Sequence, residues 1–158
     1  MTETKATKAA PADGRGNGIF TKEERAAIQE AAQDRKRSTR KTSPAEERAE
    51  GEAAIEAKIA EMPPHDAAIA RRIHELVLST APDLMPRTYY GMPAYSRDGK
   101  NVCFFQPASK FKLRYSTFGF EQGARLDKGA MWPVAWALTD LTPEDEHRIV
   151  ALVKEAAG

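Results

Sequence analysis

The stretch AYSRDGKNVCFF, residues 94–105, sets two strand-like runs on either side of Asp98 and Gly99. An Asp-Gly pair tolerates the positive backbone angles of a two-residue turn, so a tight β-hairpin is expected across 94–106. A connection this short fixes antiparallel pairing, because a parallel crossover needs about a dozen or more residues. The same region holds nearly all the aromatic side chains: of twelve, only Phe20 lies outside Tyr89–Trp136. Aromatics bring the largest apolar area per residue, so the packed core is expected there.

Around the hairpin the alternation of side chains predicts further strands. Val102, Cys103, Phe104 and Phe105 are apolar on both alternating faces, as in a strand covered on both sides. KFKLRYS alternates strictly, with Phe111, Leu113 and Tyr115 on one face and Lys110, Lys112 and Arg114 on the other, which predicts a strand with one wet face. A loop, FGFEQGARLDKGA, leads to MWPVAWAL, a further strand in which Pro133 points to an edge or a bulge. Trp132 and Trp136, four apart on such a strand, share a face.

Helices flank these strands. Thr21 with Glu24 and Ser43 with Glu46 match the capping box, and Pro44 suits a first helical position, so helices are expected over about 21–38 and 44–62. The first has only Ile28 and alanines as an apolar face and is expected to stand on the surface. Ile69, Ile73, Leu76 and Val77 form the stripe of a third helix after Pro63 and Pro64, and Pro82 ends it. Thr142, Pro143 and Asp145 open a last helix with Ile149, Leu152 and Val153 inward. Clustered strands between helices predict an α+β fold: an antiparallel sheet of about four to five strands, N-terminal helices and a packed C-terminal helix. Residues 1–18 read as a disordered tail, 19–43 as a basic helical extension and 44–158 as the folded domain.

At 158 residues the chain fits one domain plus a polar extension. Its 24 basic and 23 acidic side chains cancel to +1, so no global field draws it to nucleic acid or to a membrane. Cys103 is the single cysteine, which excludes an internal disulfide and a multi-cysteine zinc site. No apolar run has signal-peptide or membrane-spanning length, so a cytoplasmic location is expected.

The stretch YYGMPAY, residues 89–95, reads as the passage from the third helix into the sheet, with Gly91 and Pro93 shaping a turn and the tyrosines sealing the sheet edge. Together with the Asp-Gly hairpin, the KFK segment, LDKGAMWPVAWAL and the closing amphipathic helix, it resembles the YdhG-like domain family, over about residues 52–157. FTKEERAAIQE resembles the N-terminal extension of some members. These are small bacterial α+β proteins, some described as frataxin-like intracellular iron chaperones. The resemblance therefore implies a non-enzymatic iron chaperone that binds iron transiently and has iron-accepting proteins as partners.

Ligand chemistry narrows the candidates. Transiently held iron favours carboxylate oxygens, whereas a tight transition-metal site wants clustered His or Cys. His65, His74 and His147 lie far apart and in no metal motif. Asp127, Asp140 and Glu144 are the carboxylate candidates for iron; Asp140, Glu144, Asp145 and Glu146 equally suit the positive end of the last helix. Cys103, among apolar neighbours, reads as core. No nucleophile elbow, phosphate loop or dinucleotide fingerprint is present, and no enzymatic activity is expected.

Two other surfaces compete. Residues 1–44 carry ten basic and six acidic groups, residues 45–64 two against six. Arg35, Lys36, Arg37, Arg40 and Lys41 gather at the end of the first helix, where they complement its dipole or dock a nucleic-acid or ribosomal backbone, with Lys110, Lys112 and Arg114 adding to it. Tyr90, Met92 and Tyr95 either line a small-ligand cleft or pack the turn.

Overall fold

The computed structural model describes residues 19–40 and 42–158; the tail expected over 1–18 lies outside the described residues. Four helices and five strands follow in the order α1 (Lys22–Ser38), α2 (Pro44–Ala60), α3 (Pro64–Thr80), β1 (Met85–Tyr89), β2 (Met92–Arg97), β3 (Lys100–Gln106), β4 (Ser116–Phe120), β5 (Ala135–Leu138) and α4 (Pro143–Ala157). A short 3₁₀ helix, Ala108–Phe111, joins β3 to β4. The sheet is a simple antiparallel meander, β1-β2-β3-β4-β5. The α+β fold with N-terminal helices and a closing C-terminal helix is thus as the sequence implies.

Local signals place the helix starts. Thr21, Ser43 and Thr142 each complete a capping box with Glu24, Glu46 and Asp145 respectively, satisfying backbone donors that the helix leaves unpaired. Asp98 and Gly99 take φ of 52° and 78°, so the hairpin turn has the two left-handed residues that a tight connection needs.

The strand registers set Pro86, Tyr95, Cys103 and Phe120 across one row, and Phe105, Phe118 and Trp136 across the next, on the same face. Against that face α2 brings Ile55 and Ile59, α3 brings Ile69, Ile73 and Val77, and α4 brings Ile149, Val153 and Ala156. Each fully buried side chain of this kind contributes about 1.5–3 kcal/mol of transfer free energy, so this layer carries the stability of the fold. On the opposite face Phe104 is half-buried and lies over Gly119, where an added Cβ would meet its ring at 2.5 Å.

Five expectations are corrected. KFKLRYS is not a strand: Lys110 and Phe111 close the 3₁₀ helix, Lys112 turns left-handed at φ 54°, and the Leu113 amide bonds back to Ala108. Lys110, Lys112 and Arg114 therefore do not form the wet face of a sheet. FGF is not loop but the end of β4. YYGMPAY does not lead from α3 into the sheet; Met85–Tyr89 is already β1, and Tyr90 and Gly91, at φ 50° and 76°, make a second two-residue hairpin turn. Tyr95 seals no edge, being fully buried on a central strand. Finally β5 begins only at Ala135, so Trp132 precedes it, although both tryptophans pack partly buried against the core.

Candidate functional site

Helix α1 contributes one buried alanine, Ala27, and leaves Ile28 43% exposed. Polar contacts hold it instead. Glu30 accepts from Lys58 Nζ of α2 at 3.0 Å and from Lys110 Nζ at 2.8 Å, and Glu23 pairs with Lys112 at 3.0 Å. One turn beyond Glu30, the Thr88 hydroxyl of β1 donates to Asp34 Oδ1 at 2.5 Å, and Arg37 approaches both Thr88 Oγ1 and Asp34 Oδ1.

This docking leaves a cleft of about 120 Å³ between the end of α1, the first turns of α2 and the outer edge of β1. Its walls are Asp34, Arg37 and Arg40 from α1 and its end, Thr42, Glu47, Glu50, Gly51 and Ala54 on the α2 side, and Pro86, Arg87 and Thr88 from β1. Gly51 is what lets α2 come so near: a Cβ there would stand 1.9 Å from the Pro86 carbonyl oxygen. The volume is near that of an engineered apolar cavity of about 150 Å³ that admits benzene, but the lining is charged. Asp34 has a side chain only 10% exposed, and its Oδ2 is buried without a hydrogen-bond partner among the described residues. A buried carboxylate oxygen left unpaired costs of order 1–3 kcal/mol, more when charged, so this atom wants a donor. Opposite charge is supplied by Arg37, Arg40 and Arg87, of which Arg40 is only loosely paired with Glu50, at 3.9 Å.

A second cleft of about 280 Å³ is lined by Lys58, Glu61, Met62, Pro63, Gly91, Pro107, Ser109 and Lys110. The Glu30–Lys58–Lys110 cluster borders it. Burial works against the Glu30 charge, but the hydrogen bonds from Lys110 and Lys58 outweigh it and hold the carboxyl below its ordinary range.

The remaining candidate residues are dispersed. Among the described residues no group of three or more His, Cys, Asp or Glu side chains is placed to hold a metal ion, so Asp127, Asp140 and Glu144 are not brought together. Asp140 accepts from the Leu141 amide, Asp145 caps α4, and Glu146 receives a two-pronged contact from Arg72 of α3. Tyr90 is 39% exposed at its turn with Tyr89 edge-on to it, Met92 is buried, and Tyr95 is in the core with its hydroxyl 2.9 Å from His74 Nδ1; none lines either cleft. Cys103 is buried, and burial pushes its thiol far up, which keeps it protonated and unreactive.

Of the basic residues, Arg37 and Arg40 face the first cleft, Arg35 and Lys36 lie in the last turn of α1, and Lys41 lies outside the described residues. Lys110 and Lys112 are engaged by the carboxylates of α1, while Arg114 lies over the Tyr115 ring. Sequence reasoning misses the first cleft because Asp34, Gly51 and Thr88 are scattered along the chain. The one available signal is Gly51, a glycine inside a helical pattern, where it costs about 1 kcal/mol relative to alanine. No described helix is long and apolar enough to cross a membrane. No protein-family model, no curated protein and no solved structure matches this chain.

Proposed function

We propose that this chain is a non-enzymatic binding protein that takes a small polar ligand in the cleft between α1, α2 and β1. The observation that carries this reading is Asp34: a carboxylate nine-tenths buried at the cleft wall, with Oδ1 satisfied by Thr88 and Oδ2 left without a donor among the described residues. Such a ligand places an ammonium or amide donor on Oδ2 and an acidic group among Arg37, Arg40 and Arg87, which is the charge layout of a zwitterion the size of an amino acid. A cytoplasmic location belongs to the same proposal.

The nucleic-acid reading has less support, because Arg37 of α1 and Arg40 just beyond it line the cleft and the α1 carboxylates occupy Lys110 and Lys112. Iron handling is the alternative proposal that the YdhG-like resemblance carries, with Asp127, Asp140 and Glu144 as exposed carboxylate ligands and iron-accepting proteins as partners. Calorimetric titration of the full chain with a panel of α-amino acids, and separately with Fe(II), distinguishes the two. The cleft reading expects heat with at least one amino acid, abolished by Asp34→Ala; heat with Fe(II) alone, unaffected by that substitution, favours iron.

A further inference from the structure

We infer that Lys58 and Lys110 form a phosphate-binding site that the Glu30 carboxylate occupies in this structure. Two ammonium groups from different elements, α2 and the 3₁₀ helix, converge on a single acceptor group, at 3.0 and 2.8 Å from its two oxygens. Both lysine side chains are largely covered, 25% and 15% exposed, so they are held in place rather than waving in solvent. Their charges meet over Gly91, whose missing side chain leaves the room that Glu30 Oε2 takes up: a Cβ there would lie 1.5 Å from it. The adjoining cleft of about 280 Å³ is lined by Pro107 and Ser109 as well as by the two lysines, so a group larger than a carboxylate has space. A tetrahedral dianion matches two convergent ammonium groups better than a single carboxylate does, since it presents more oxygens and more charge to the same donors.

Withdrawing the occupant breaks polar contacts rather than an apolar core. Helix α1 buries only Ala27 among its apolar side chains and is otherwise attached by polar contacts, so releasing Glu30 exposes little apolar surface. Among the described ion pairs, Lys58 without Glu30 retains only the exposed Glu61, at 3.4 Å, as carboxylate partner, and Lys110 retains none. The same helix brings Asp34 and Arg37 to the first cleft, so phosphate at the lysines and a ligand in that cleft oppose each other through α1. This inference stands on different residues from the cleft and does not need that reading to be right.

The test uses the full chain as wild type, Glu30→Ala and Glu30→Ala with Lys110→Ala, titrated calorimetrically with inorganic phosphate and with a short single-stranded RNA. Glu30→Ala binds phosphate at least tenfold more tightly than wild type, and the added Lys110→Ala removes the gain. A parallel gain with RNA identifies a backbone phosphate as the source; a gain with phosphate alone identifies a small phosphate compound. A folded Glu30→Ala protein that gains with neither overturns the inference. Independently of any variant, amide NMR of the wild-type chain should show the Gly91 and α1 signals moving with added phosphate and not with chloride at equal ionic strength; an equal response to both also overturns it.

Discussion

The Glu30 carboxylate occupies the volume that a side chain on Gly91 would fill, with Oε2 1.5 Å from the position of that missing Cβ. Gly91 and Gly99 have nearly the same backbone, φ +76° and +78°, but Gly99 faces open space. Gly99→Ala therefore measures the left-handed penalty alone, about 1–2 kcal/mol. Gly91→Ala adds displacement of Glu30 from two lysines and should exceed it by about 1 kcal/mol or more, the scale of a charge-assisted hydrogen bond. Urea denaturation of the two variants side by side checks this; equal losses would mean that the Glu30 contact contributes nothing.

Acid should loosen the same contact. The folded-state pKa of Glu30 lies below its ordinary value of 4.5, so the folded chain binds fewer protons than the unfolded one. Its stabilising contribution is fully present above about pH 4.5 and is lost as pH falls through the lower folded value. Glu30→Gln should cost stability at neutral pH and converge with wild type in acid, as read from denaturation midpoints across that range.

Gly51→Ala sets two effects against each other. Alanine favours an exposed helix by about 1 kcal/mol over glycine. Here its Cβ would stand 1.9 Å from the Pro86 carbonyl oxygen, which must force α2 off β1. Overpacking of this kind costs about 1–3 kcal/mol and wins, so the variant should have a lower denaturation midpoint than wild type and a weakened response to any cleft ligand.

The His74–Tyr95 pair gives a second pH signature. Burial first of all, against the opposing pull of Glu52, Glu56 and Glu75, lowers the His74 pKa below its ordinary 6.5. A neutral ring can accept a hydrogen bond from the buried Tyr95 hydroxyl 2.9 Å away. A depressed pKa contributes stability above the unfolded value, so stability should fall as pH drops below about 6.5. His74→Gln should flatten that decline, and Tyr95→Phe should cost about 1 kcal/mol at neutral pH; both follow from urea midpoints at pH 7 and 5.

What the sequence revealed was local. The capping boxes at Thr21 and Ser43, the helix start at Thr142 and the Asp98–Gly99 turn are each specified by neighbours within three residues, and all lie where the sequence places them. Local pattern misleads where tertiary contact overrides it. Lys110 and Lys112 alternate like a strand, yet each is drawn to a carboxylate of α1, and the backbone turns left-handed at Lys112. Tyr90 adopts φ 50°, unusual for an aromatic residue, which hid a second hairpin and with it β1. The candidate cleft was illegible because its parts come from three separated segments, and its key atom, Asp34 Oδ2, is defined by what it lacks.

The most direct measurement is amide NMR of the full chain, titrated with α-amino acids and then with Fe(II). Binding in the cleft predicts shift changes concentrated at Gly51, Arg87 and Thr88, absent in Asp34→Ala. Paramagnetic broadening confined to the neighbourhood of Asp127, Asp140 and Glu144 on adding Fe(II), with no response at Gly51, Arg87 or Thr88 to any amino acid, would contradict it.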